Sequence, residues 1–191
     1  MARTKKLSGS VKKAYDLFKA QEGAQDKLVL GAREIVRGCA MAIKYVHAAD
    51  LDAAGEEMKK VEKLVSGARK AENGMGHVVA QAYQEYCEAR VLLAVLADEE
   101  IPGVDELGIP IESYLTGLMD SVGEFRREML EQLKKGRKKA AEKYFDAMTA
   151  VYEETLPLKF SNSILPGFRR KQDVARGQLE NARSELLRFS R

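Results

Sequence analysis

Apolar residues recur at helical spacing along almost the whole chain. Val11, Ala14, Tyr15 and Phe18 open the pattern, and Leu28, Ile35, Cys39, Ala42, Ile43 and Val46 continue it. Returns after three and four residues keep side chains on one helix face. A first helix is therefore predicted from about Ser10 to His47, with Gly23 and Gly31 as points where it can bend. That is longer than an ordinary globular helix and suggests a long antiparallel bundle or an oligomer scaffold. A second helix is predicted from Asp50, a favourable N-cap, to about Glu72, where Asn73-Gly74 breaks the chain. The third, Gly76 to Asp98, is apolar on every side in its second half. Such a helix is buried all round, which in a chain of 191 residues argues for contact with other subunits as well as with its own bundle.

Ile101 to Pro110 reads as a loop. A fourth helix follows from about Pro110, favourable in a first turn, to Lys135. After Gly136 a fifth runs to about Thr155; Leu156 to Ser163 is a second loop, and a last helix spans about Leu165 to Arg188. No stretch alternates as a strand would. The expected fold is all-α: six or seven long antiparallel helices in one domain over residues 1–191.

Composition agrees with this. Prolines number 4, and helix formers dominate. The longest unbroken apolar run, Val91 to Ala97, is far too short to span a bilayer. Cys39 and Cys87 lie mid-helix among apolar neighbours, as buried hydrophobes of a reducing compartment. The basic start, Met1 to Lys6, is followed by no apolar segment of signal length. A soluble cytoplasmic protein without a membrane partner is expected. Charged residues make up 32% of the chain but the net charge is only +3, so bulk charge gives no argument for nucleic acid; local clusters can.

Four carboxylates change that picture. Glu85 and Glu88 stand in Gln84-Glu85-Tyr86-Cys87-Glu88-Ala89, and Asp120 and Glu124 in Gly117-Leu118-Met119-Asp120-Ser121-Val122-Gly123-Glu124. Spacings of three and four put each pair on one helix face. Glu85 falls in line with Val78, Leu92 and Leu96, so acids share an apolar stripe, which is rare unless they are paired, hydrogen-bonded or metal-bound. Asp120 lies roughly opposite the stripe of Leu115, Leu118, Val122, Phe125, Met129 and Leu133, and by periodicity alone faces water; Gly117 and Gly123 on its side permit close helix approach. Four converging acids have no sensible resting state without cations or raised pKa values. The alternative is a solvated acidic face balanced by Arg90, Arg126 and Arg127. His47 and His77 are the only histidines and neither stands in a Glu-x-x-His spacing, which argues against a ferritin-like di-iron centre. Oxygen ligands favour Mg²⁺ or Mn²⁺.

Phosphate contacts need Lys or Arg. Candidates are Lys134 to Lys139, Arg169-Arg170-Lys171, and Arg33, Arg37 and Arg90. The lysines near 134–139 read better as a helix C-terminus and turn, whereas Arg33, Arg37 and Arg90 lie on the more buried-looking helices. Trp is absent and the Tyr and Phe residues fall mostly on core stripes, so backbone binding is favoured over base stacking. His47, at the end of its helix, reads as structural, and Tyr83 and Tyr86 as core or site wall.

The segment Tyr114-Leu115-Thr116-Gly117-Leu118-Met119-Asp120-Ser121-Val122-Gly123-Glu124 strongly resembles the Y-L-x-G-x-x-D-x-x-G-E element of the translin superfamily, in its Trax-like branch. Arg33-Glu34-Ile35 with Ile43 and His47 resembles the family's first helix, Gln84 to Ala89 its Q-E-Y-V-E-A element, and Leu165 to Leu186 its last helix. The resemblance covers most of the chain, and its specific part is the two acidic motifs. It implies an all-α bundle assembled into a hollow homo-oligomer, typically an octamer, that binds single-stranded RNA or DNA inside. It also implies a catalytic-type subunit: a metal-dependent ribonuclease using Glu85, Glu88 and Asp120, with Glu124 as a further ligand or second-sphere acceptor. The compact length resembles the archaeal branch, and the short connection between the acidic helices departs from larger Trax chains. A non-catalytic single-stranded nucleic-acid-binding oligomer of the translin type is the alternative, and a plain helical scaffold the third.

Overall fold

The computed structural model describes residues 5–189, and the first residues of the basic start, Met1 to Thr4, lie outside them. Seven helices follow in order: α1 (Lys5–His47), α2 (Leu51–Ala71), α3 (Ala80–Leu96), α4 (Val104–Leu107), α5 (Ile111–Lys134), α6 (Lys138–Thr155) and α7 (Phe168–Phe189), with a 3-10 turn at Gly76–Val78. There is no strand among the described residues. The fold is all-α, as the spacing predicts.

Local chemistry sets the helix ends. Asp50 caps α2 through its side chain, accepting from the Ala53 N–H at 3.0 Å. Asn73 and Gly74 both adopt positive φ, which stops the helical path. Pro110 sits in extended backbone just before α5, so its ring ends the loop instead of joining the first turn. The loop between α3 and α5 is more ordered than its composition suggests. It carries the single turn α4, closed by Gly108 in the left-handed region, and Tyr114 Oη donates to the Pro102 carbonyl at 3.1 Å.

α1 continues unbroken through Gly23 and Gly31. It pairs with α2, then α3, whereas α5 packs on α3, α6 and α7. The core joins Ile35, Cys39 and Ala42 of α1, Met58 and Val61 of α2, Tyr83, Val91 and Leu92 of α3, Val122, Phe125 and Met129 of α5, and Met148 and Phe168 beyond. Two glycines permit close packing. A Cβ at Gly38 would meet Val61 Cγ2 at 2.5 Å, and one at Gly117 would meet Cys87 Cβ and the Gln84 carbonyl, each at 2.6 Å.

The first half of α1 stands apart from this core. At 1.5 Å per residue, 43 residues span about 65 Å against about 32 Å for α2. No α1 residue before Leu28 is buried. Leu7, Val11, Tyr15 and Phe18 are each more than half exposed.

Candidate metal and nucleic-acid site

The four acids come together because α3 and α5 touch at Gly117. Contacts advance in the same sense along both helices: Ser113 Oγ donates to the Ala80 carbonyl at 3.1 Å, and Gln84 Nε2 to Asp120 Oδ2 at 2.5 Å. The two pairs therefore meet in register. Glu88 feels all the others. Burial pushes its carboxyl up to about 8, with Glu85, Asp120 and Glu124 adding in that order, opposed by Lys171. Asp120 and Glu124 do not face open water, as periodicity alone suggests for them. All four acids are half-buried, and α7 covers the flank of α5 that its apolar stripe leaves free.

Each acid has its own surroundings. Gln81 Nε2 donates to Glu85 at 2.7 Å, one turn back along α3. The Lys171 ammonium, from α7, forms an ion pair with Asp120 Oδ1. His47, at the end of α1, stands between two carboxylates, with Nε2 at 2.9 Å from Glu124 Oε2 and Nδ1 at 2.5 Å from Glu128 Oε1. Arg127 lies 3.9 Å from Glu124. Among the described residues Glu88 has no hydrogen-bond partner or ion pair. Behind the acids, Cys39 of α1 is raised by burial, then by Glu85 and Glu88, and Cys87 to about 12 by burial, then by Glu88 and Asp120. Both thiols are buried and unpaired, as small hydrophobes should be.

The donor set suits a hard divalent ion: carboxylate oxygens, no soft ligand among them, and one carboxyl, Glu88, raised first by burial and then by its like-charged neighbours. Among the described residues no three such side chains stand in ready ligand positions. Asp120 gives one oxygen to Lys171 and one to Gln84, so both of its oxygens are engaged.

Arg33 and Arg37 are exposed on α1 and line a groove with Gln81 of α3, beside the Glu85 end of the cluster. Neither has an acidic partner among the described residues. Arg90 is engaged elsewhere: its guanidinium pairs with Glu62 of α2 and lies 3.9 Å from Glu106, facing α2. Of the balancing arginines, Arg126 pairs with Glu185 of α7. Lys134 and Lys138 make surface contacts with Glu131 and Glu142 around the turn at Gly136. Glu128 is a site residue that the sequence did not single out, and Lys171, a candidate phosphate contact by sequence, stands instead on Asp120.

An all-helical chain that gathers four acids from two helices, with basic residues on either flank, is thus defined by its own geometry. No protein-family model matches the chain. It is 34% identical over 175 residues to an uncharacterized protein of Methanocaldococcus jannaschii, covering 88% of this chain and 78% of that protein. Among solved structures it superposes on AfC3PO bound to duplex RNA with a TM-score of 0.86 and 26% identity, covering 95% of this chain and 96% of that one. AfC3PO alone gives 0.86 and 27%, with 95% and 97% covered. Apo-NeC3PO shares the fold, at 0.85 and 21% identity over 94% and 96%. The chain belongs to the translin superfamily. No described helix is long and apolar enough to cross a membrane.

Proposed function

We propose that this chain is a divalent-metal-dependent endoribonuclease of the Trax-like kind, acting on single-stranded RNA within a homo-oligomeric shell, with an octamer as the expected assembly. The observation that carries it is the meeting of Glu85, Glu88, Asp120 and Glu124, where burial first and the neighbouring acids second push the Glu88 carboxyl up to about 8. Perturbed carboxyls of this kind gather at functional sites. The C3PO structure bound to duplex RNA supports RNA as the ligand. The bare apolar stripe on α1, from Leu7 to Phe18, supports self-association, because a patch of that kind marks an interface.

Glu85, Glu88 and Asp120 would hold one or two Mg²⁺ or Mn²⁺ ions, with Glu124 as a further ligand. Bound there, the metal supplies phosphoryl polarisation and a water of lowered pKa. The remaining work falls to the chain's own residues. His47 fixes the Glu124 carboxylate from one side, and Gln81 and Gln84 orient Glu85 and Asp120. Arg33 and Arg37 offer unpaired cations to the RNA backbone beside the Glu85 end. Arg90 joins them only by releasing Glu62.

The test is incubation of labelled single-stranded and duplex RNA with the protein in Mg²⁺, Mn²⁺ or EDTA, beside Glu85→Gln and Asp120→Asn. Single-strand cleavage that needs metal and falls by at least roughly a hundredfold in either variant, the loss typical of removing a transition-state contact, is expected. Binding without cleavage in every metal would favour the translin-type binding oligomer instead.

A further inference from the structure

The acid cluster carries its own cation. Lys171 sits on Asp120 and its positive charge opposes the rise at Glu88. A divalent ion taken up by Asp120 Oδ1 must compete with that ammonium for the same oxygen. Beside the ion pair lies a cavity of about 400 Å³ lined by Met119, Asp120, Gly167, Arg170, Lys171 and Gln178. Lys171 borders both places. Its side chain is partly exposed, at 28%, and a four-carbon stem turns freely where it is not packed. Arg170 lines the same cavity without an acidic partner among the described residues.

We propose that Lys171 is an exchangeable counter-cation. It neutralises Asp120 until a divalent ion loads, then turns into the adjoining cavity and, with Arg170, binds a phosphate of the RNA. The proposal rests on the metal-dependent reading above. Charge is balanced at each stage: ammonium on carboxylate before loading, then metal on carboxylates and ammonium on phosphate. No proton moves. Metal and RNA then bind cooperatively, because each favours the same position of Lys171.

The experiment uses the full chain and two probes, Mn²⁺ followed by the resonance of the free ion, and a 2′-O-methyl single-stranded RNA followed by anisotropy. In the wild type, Mn²⁺ strengthens RNA binding, roughly tenfold on the scale of ordinary site–site coupling. Lys171→Gln binds Mn²⁺ more tightly than the wild type by a similar factor and loses the effect of Mn²⁺ on RNA. Lys171→Arg keeps the charge and grips carboxylate with a rigid fork, so it binds Mn²⁺ no better than the wild type. Arg170→Gln binds Mn²⁺ as the wild type does but RNA more weakly. A lysine that only staples α7 to α5 would lower the melting temperature without raising Mn²⁺ affinity. Unchanged Mn²⁺ affinity in Lys171→Gln, or an equal gain in Lys171→Arg, overturns the exchange. Persistent coupling in Lys171→Gln overturns the phosphate half. A wild type that binds no Mn²⁺ at all sinks the metal reading itself.

Discussion

Glu88 is the carboxyl with most to gain from a bound cation. In the folded chain it ionises near 8, in an unfolded chain near 4.5. Between those values the folded state holds a proton that the unfolded state has lost, so this group makes stability fall as pH rises from about 4.5 to about 8, and constant above that. Glu88→Gln removes the effect. Its melting temperature should exceed that of the wild type by an amount that widens across this window, worth roughly 1–2 kcal/mol at the upper end once solvent screening is allowed for. Thermal scans in EDTA at a series of pH values check this; parallel curves for the two proteins would contradict it. Mn²⁺ should restore the wild type but not the variant, because metal uptake displaces the proton. His47 makes a second case. His47→Ala leaves Glu128 buried with no partner and should cost about 2–4 kcal/mol, read by denaturant unfolding, whereas the double variant with Glu128→Gln should recover part of it. Glu85 and Glu88 were legible in the sequence as acids on an apolar stripe, and Asp120 and Glu124 through the motif that contains them. Glu128 was not, and neither was the pairing of Asp120 with Lys171 and Gln84. Periodicity reports which face a residue occupies, and cannot say which distant charge will meet it across 51 residues, as Lys171 meets Asp120.

At the scale of elements, the contact of α3 with α5 decides whether a site exists. Gly117→Ala would place a Cβ 2.6 Å from the Gln84 carbonyl, a backbone atom that cannot turn aside. The gain in helix propensity is about 1 kcal/mol, and overpacking costs about 1–3 kcal/mol. The variant should be destabilised by a net of up to about 2 kcal/mol, and its metal affinity should drop as Glu85 and Glu88 move away from Asp120. Chemical denaturation and Mn²⁺ titration of one preparation measure both. If stability falls while metal affinity holds, the close approach serves packing alone. Helix boundaries were readable where chemistry marks them, at the Asp50 cap and at Asn73-Gly74. The turn α4 escaped because four residues are too few to show a period. The small residues on α5 announced a close approach, and only the fold names Cys87 and Gln84 as the neighbours.

At the scale of the whole molecule, α1 is longer than anything it packs against. Isolated helical segments are marginal in water, and stability comes from packing an apolar face. The segment before Leu28 has such a face but no residue buried by its own chain. Phe18→Asp should therefore leave the core intact, with unchanged far-ultraviolet signal per core residue, yet shift the particle to smaller species by light scattering. An assembly unmoved by Phe18→Asp and Val11→Asp together would place the interface elsewhere. The sequence predicts the length of α1, but a periodic stripe looks the same whether its partner is the same chain or another copy.

In the proposed assembly, the bare half of α1 also ties folding to abundance. A helix completed only by a second copy draws its stability from mass action, so each tenfold dilution withdraws about 1.4 kcal/mol per association step. The melting temperature then becomes a property of the protein concentration as well as of the sequence. A sparse population of chains would fray at α1 first, and a rising one would set its own stability. For a protein whose proposed chemistry is to cut RNA, the number of copies present would act as the control on when that chemistry begins.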